Sequence, residues 1–211
     1  MNQGLFISFE GGDGSGKTTV CRYVSERLAQ AGYDTLYTRE PGGSGIAEQI
    51  RAVILDVANT GMDVRTEALL YAASRRQHLT DVVLPALQAG KIVVSDRFVD
   101  SSLAYQGWGR GIGIDEVLSI NQFAIEDHMP DLTVYLDVPP EVGLARIQKG
   151  RSSLDRLDQE SLKFHQQVYE GYRRVIARYP QRIRVIDADR AVEAVQRDAA
   201  GLVLDWVKEH V

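Results

Sequence analysis

Eight consecutive residues, Gly11, Gly12, Asp13, Gly14, Ser15, Gly16, Lys17 and Thr18, fit the spacing G-x-x-x-x-G-K-[ST]. Glycines at these positions let successive backbone N–H groups turn inward around phosphate oxygens, and a helix starting at Lys17 adds the partial positive charge of its N-terminus. The Lys17 ammonium would then reach the β- and γ-phosphates of a nucleoside triphosphate, and the Thr18 hydroxyl would bind Mg²⁺. The run stands directly behind the apolar segment Leu5-Phe6-Ile7-Ser8-Phe9 and before an amphipathic stretch, the strand–loop–helix context such a cradle needs. No N-K-x-D motif for reading guanine occurs, which argues against a GTP-driven switch, and 211 residues are few for a motor ATPase. A phosphotransferase is the leading class.

A phosphotransferase needs a group that receives the phosphoryl. Arg39 and Arg97 each follow an apolar run, and Arg75 sits on a long helical stretch. Three guanidinium groups converging on one sheet edge would clamp a monophosphate through charge-assisted, often bidentate hydrogen bonds, whereas any one alone reads as a solvated surface charge. Arg76 competes with Arg75, because neighbours on a helix point about 100° apart. Asp96 ends an apolar run close to the cradle; it either holds Mg²⁺ through water or orients Arg97. Asp137 and Asp187 also end apolar runs and read as capping or loop residues. Ser101 and Ser102 follow Asp100, where Ser101 suits a helix cap. His78, His128, His165 and His210 show no metal-ligand spacing with the lone Cys21, so no zinc site is expected.

Elements with a definite order must carry these residues. Apolar runs at 5–10, 35–39, 92–96, 132–137 and 183–187 read as strands. They alternate with helical periodicity over 17–31, 46–57, 64–89, 115–126, 140–148, 158–178 and 191–209. That alternation predicts an α/β fold with a five-stranded parallel sheet flanked by helices, and ligands then bind beyond the carboxyl ends of the strands. Glycine-rich loops are expected at 41–45, 106–113 and 148–153, and no composition break divides residues 1–211 into more than one domain. With 44% hydrophobic and 25% charged residues the chain has enough apolar material for a full core. A net charge of −5 argues against nucleic acid or an anionic membrane surface as partner. No segment approaches the roughly 18 apolar residues of a membrane helix. A single cysteine and the lack of a signal-like N-terminus point to the cytosol.

The sequence resembles the thymidylate kinases over nearly its whole length. The matching residues run from Phe9-Glu10-Gly11 through Arg39-Glu40-Pro41-Gly42-Gly43, Asp96-Arg97, Ala104-Tyr105-Gln106-Gly107 and Asp131-Leu132-Thr133-Val134-Tyr135-Leu136-Asp137 to Leu154-Asp155-Arg156. The resemblance implies the P-loop nucleoside monophosphate kinase fold, transfer of the γ-phosphoryl group of ATP to dTMP, a Mg²⁺ cofactor and a homodimer packed through helices. It assigns Asp13 to the sugar 3′-hydroxyl and Tyr105 to the space beside the 2′ position. It favours Arg75 over Arg76, stacks Tyr71 on thymine in place of the usual phenylalanine, and puts Ser102 and Gln106 near the base. The alternative role for Tyr71, within Leu69-Leu70-Tyr71, is an ordinary core aromatic. Eukaryotic members commonly carry an arginine inside the phosphate loop, which this loop lacks. A lid at about 146–157 resembles that of the bacterial subclass, with Arg151 as catalytic cation and Lys149 as the other candidate; Arg146 would lie on the preceding helix and Arg156 would pair with Asp155 or Asp158. A tight turn at Glu40-Pro41 suits a cis bond. A kinase for another monophosphate, such as deoxycytidylate or deoxyguanylate, and a non-kinase nucleotide-binding protein are the alternatives.

Overall fold

The five apolar runs form one parallel sheet: β1 (Phe6–Gly11), β2 (Thr35–Arg39), β3 (Ile92–Asp96), β4 (Leu132–Asp137) and β5 (Ile183–Asp187). The computed structural model describes residues 4–150 and 155–211, so the proposed lid cation Arg151 lies outside the described residues. Strand order is β2-β3-β1-β4-β5. The chain leaves β1 to one side for β2 and β3, then crosses to the other side for β4 and β5, which makes the carboxyl end of β1 the switch point where such sheets bind ligands. The register aligns Arg39 with Asp96 and Gly11 with Leu136, so the phosphate loop and the β2 and β3 ends meet at one edge.

Both sheet faces are covered. Ile7 and Phe9 pack with Val20, Val24 and Leu28 of α1 (Lys17–Gln30) and Val203 of α9 (Val192–His210). Phe6 and Val93 point the other way, against Leu79, Val83 and Phe98. A third cluster joins Leu103, Tyr105 and Tyr135 to Phe164, Val168 and Tyr172 of α8 (Leu162–Arg178), and it forms one wall of the cleft described below. The remaining helices are α2 (Gly45–Leu55), α3 (Val64–His78), α4 (Leu84–Gln88), α5 (Val99–Ser102), α6 (Ile114–Ile125) and α7 (Pro140–Gly150).

Several expectations need correction. The single helix expected over 64–89 is α3 and α4 joined by a wide π-helical turn, Leu79–Val83, closed by the Leu84 N–H donating to the Leu79 carbonyl. Pro85, in the first turn of α4, has no N–H to give a preceding carbonyl, and the wider turn absorbs that defect. The loop expected at 106–113 is in its first half helical: a π-helical segment spans Leu103–Gly109 after α5. Gly109 is there for contact, since a Cβ would come within 3.0 Å of Val168 on α8. Helix α8 starts at Leu162 behind the Ser161 cap, four residues later than its periodicity suggests. The Glu40–Pro41 bond is cis, as its turn context suggested.

Candidate active site at the carboxyl edge of the sheet

The phosphate loop bridges β1 and α1 and is pressed against α7. Gly14 has φ 75°, and a Cβ on it would lie 2.0 Å from the Gly143 carbonyl oxygen, so only glycine fits this approach. Helix α1 has no side-chain cap and no acidic residue in its first turn. Its leading N–H groups are left for an anion. Lys17 folds back over the loop, its ammonium donating to the Gly11 and Gly12 carbonyls (2.9 and 2.8 Å) and to Ser15 Oγ (3.3 Å). Burial, with the Arg97 charge beside it, pulls the Lys17 pKa down to about 8.

A cavity of about 380 Å³ opens in front of the loop. Its walls include Asp13, Lys17 and Thr18 from the loop, Arg39 from β2, Tyr71 from α3, and Asp96, Arg97, Tyr105 and Gln106 from β3 onward. Arg97, the residue after β3, holds φ 75°, a strained conformation for a side chain of its size. That turn aims the guanidinium back over β1. It donates to Asp13 (2.5 Å), Ser101 Oγ (3.1 Å), the Tyr172 hydroxyl (3.2 Å) and the Gly11 carbonyl (3.2 Å). The Tyr105 hydroxyl donates to the other Asp13 oxygen at 2.7 Å. Burial works against the Asp13 charge, but Arg97 and Lys17 prevail and hold its carboxyl below the usual carboxylate range. Thr18 Oγ1 donates to Asp96 Oδ2 at 2.5 Å, so the two expected Mg²⁺ residues meet directly. Two hard oxygen donors suit Mg²⁺, which keeps several waters and takes few protein ligands beside phosphates.

The three arginines separate. Arg39 and Arg97 line the cavity, while Arg75 lies behind it, 2% exposed. Arg75 donates to Glu40 Oε2 (2.7 Å), Ser102 Oγ (3.1 Å), the Phe98 carbonyl (3.1 Å) and Asn121. Ser102 likewise sits behind the wall as Arg75's acceptor. Arg76 faces outward and pairs with Glu126, so the competition between the two falls to Arg75 as the inward one. Glu40 also meets His78 Nδ1 at 2.9 Å, whose Nε2 lies 2.6 Å from Thr38 Oγ1.

Ser101 is not the expected cap, because α5 begins at Val99; its hydroxyl donates instead to Glu10 Oε2 at 2.6 Å and the residue lines the cavity. Arg156, expected to pair with Asp155 or Asp158, donates to Glu67 Oε2 (2.6 Å) and to the Ile54 carbonyl (2.9 Å). Arg146 is on α7 as expected and lines the cavity, while Lys149 points to solvent.

Glu10 accepts from the Phe98 N–H (2.7 Å), Ser101 and the Tyr172 hydroxyl (2.9 Å), fully enclosed beneath the site. Burial and the nearby Asp100 charge push its pKa up to about 7. The folded state therefore binds a proton that the unfolded chain, near 4.5, releases. The stabilisation is present below pH 4.5 and is lost as pH rises through about 7. Denaturant midpoints measured from pH 4.5 to 8 should fall over that window and fall less steeply in Glu10→Gln; equal slopes would contradict the assignment.

Comparison with known proteins identifies the family. The thymidylate kinase family model matches residues 9–199. The chain belongs to the thymidylate kinase family. It is 56% identical over 207 residues to a thymidylate kinase of Bacillus velezensis, covering 98% of each chain. It is 54% identical over 207 residues to one of Oceanobacillus iheyensis, covering 98% of this chain and 92% of the relative. A solved thymidylate kinase of Ehrlichia chaffeensis superposes with a TM-score of 0.78 at 31% identity, over 96% of this chain and 99% of that one. The P-loop nucleoside monophosphate kinase fold expected from the sequence is the one observed. Sequence reasoning missed two features of this site. Arg51 on α2 lines the cavity and donates to the Pro41 carbonyl at 2.8 Å, and Glu40 is the buried acceptor of Arg75. A charged residue on an amphipathic helix carries no local sign that it faces a cleft.

Proposed function

We infer that the protein transfers the γ-phosphoryl group of ATP to dTMP, giving dTDP and ADP. The observation that carries this reading is one cavity lined on one side by the phosphate loop and on the other by Arg39, Arg97, Tyr71 and Gln106, so that donor and acceptor sites share a single cleft. Residues 11–18 cradle the ATP phosphates and Lys17 swings from the loop carbonyls onto them. Arg97 and Arg39 hold the acceptor phosphate, Asp13 takes the sugar 3′-hydroxyl, Tyr71 faces the thymine ring and Gln106 its edge. Arg75 and Ser102 act from behind the wall: the buried Arg75–Glu40 pair fixes the turn that carries Arg39. An acceptor phosphate oxygen then attacks the γ-phosphorus in line as the bond to the β-bridging oxygen breaks. No enzyme-bound intermediate is needed, only positioning and charge neutralisation. Thr18, with Asp96 through water, would hold Mg²⁺, which supplies part of that neutralisation when bound. Arg151, in a lid over 146–157, is proposed as the cation on the transferring group. Measured kcat/KM with ATP should be highest for dTMP; a flat profile across monophosphates, or a preference for dCMP or dGMP, would contradict this reading.

Tyr105, held to Asp13 and stacked by Arg97 at 5.1 Å, is proposed to exclude a 2′-hydroxyl. Tyr105→Ala should lower the preference for dTMP over ribo-TMP by about tenfold, within the range a lost steric contact supplies. An unchanged ratio in the folded variant would leave Tyr105 a packing residue.

The protein is also proposed to work as a homodimer in the cytosol. Phe123 on α6 is 90% exposed and Leu69 on the adjoining α3 is 56% exposed, an apolar surface suited to a second copy. No helix is long and apolar enough to cross a membrane among the described residues, and the one cysteine, Cys21, is buried and unpaired. Phe123→Asp should yield monomers by light scattering; a dimer that survives the change would place the interface elsewhere.

A further inference from the structure

Gln106 is an amide, and an amide recognises a base differently according to which end it presents. Its Nε2 donates to Glu67 Oε1 at 2.8 Å. Glu67, on α3 one turn before Tyr71, is 1% exposed. Two arginines reach the same carboxylate: Arg110 through Nε and Nη2 (both 3.1 Å), and Arg156 through Nη2 (2.6 Å). Burial opposes the Glu67 charge, but the hydrogen bonds from Arg110, Gln106 and Arg156 hold its carboxyl below the usual carboxylate range. An ionised carboxylate only accepts, so the Gln106 atom facing it must be the NH₂ group, and the amide orientation follows from chemistry. Oε1 becomes the open end. Among the described residues no group donates to it, and Gln106 lines the cavity beside Tyr71.

We propose that Glu67 is a specificity-determining positioning residue: by holding the Gln106 amide it makes the site offer an acceptor to the base, which selects pyrimidines with an N3–H, thymine and uracil, over cytosine, whose N3 is itself an acceptor. This rests on the acceptor reading above. Arg110 and Arg156 keep the carboxylate charged, and Arg110 is itself steadied by Glu160 at 2.6 Å. A neutral amide at position 67 either donates or accepts, so Glu67→Gln frees Gln106 to turn over and meet cytosine with its NH₂ group. Glu67→Asp keeps the charge and the orientation.

The test compares kcat/KM for dTMP and dCMP, with ATP fixed, in unaltered protein and both variants. The dTMP:dCMP ratio should fall at least about tenfold in Glu67→Gln and stay within about threefold of the unaltered value in Glu67→Asp. A merely structural role would lower both activities together, so an unchanged ratio in folded Glu67→Gln overturns the proposal while leaving dTMP phosphorylation standing. Unaltered protein with no dTMP activity overturns both. A second measurement needs no variant: the Gln106 side-chain amide, followed by ¹⁵N NMR, should keep one strongly deshielded proton before and after dTMP binds. Loss of that shift on binding means the amide has left Glu67, and overturns the proposal even where Glu67→Gln does not fold.

Discussion

Lys17→Ala is expected to lower kcat by at least roughly 10²-fold, on the order of 3 kcal/mol of transition-state stabilisation, with dTMP affinity changed only a few fold. The argument starts from what the ammonium does without nucleotide. It is buried and tied to the Gly11 and Gly12 carbonyls, a neutral and easily exchanged set of acceptors. A polyphosphate offers charged oxygens instead, so the ammonium follows the phosphates and meets the greatest negative charge as the bridging bond breaks. Because its interactions strengthen toward the transition state, its removal falls on kcat more than on binding. The low Lys17 pKa adds a signature: ATP binding to the free protein should weaken as pH rises through about 8, where the ammonium loses its proton. Single-turnover kinetics on the folded variant check the first result, and wild-type turnover there would remove Lys17 from the chemistry.

Arg97→Ala should cost more in acceptor use, roughly 10³-fold in kcat/KM for dTMP, or about 4 kcal/mol, with ATP affinity nearly unchanged. Arg97 is the cavity arginine whose backbone is itself strained to aim it, and it holds Asp13, Ser101 and Tyr172 at once. Its loss removes the cation proposed for the acceptor phosphate and leaves the Asp13 carboxylate buried with less compensation. Arg97→Lys should recover little, since one ammonium cannot reproduce a planar fork of donors. Isothermal titration with dTMP and steady-state kinetics on both variants test this; a loss under tenfold for Arg97→Ala would make it a loop staple only.

The part of this molecule legible in its sequence is the part encoded locally. The β strands are short apolar runs with abrupt polar ends, and the four that follow β1 begin and end where those runs do. The phosphate loop is a fixed spacing in a fixed context. What stayed hidden depends on pairs far apart in the chain. Arg75 reads as a surface charge until Glu40 is seen 2.7 Å away, and Arg156 finds Glu67 across 89 positions instead of a neighbouring aspartate. The segment 103–109 was obscured by its glycines, which usually mark a loop but here admit the close approach of α8. Lid chemistry at Arg151 still rests on composition and resemblance.

Phosphoryl transfer from one nucleotide to another within one cleft is the central claim, and a label tests it most directly. With ATP carrying ³²P in the γ position, the protein should move the label into dTDP, one equivalent for each ADP formed, and should release almost no ADP when dTMP is left out. Label appearing as inorganic phosphate, at a rate indifferent to dTMP, would contradict the account.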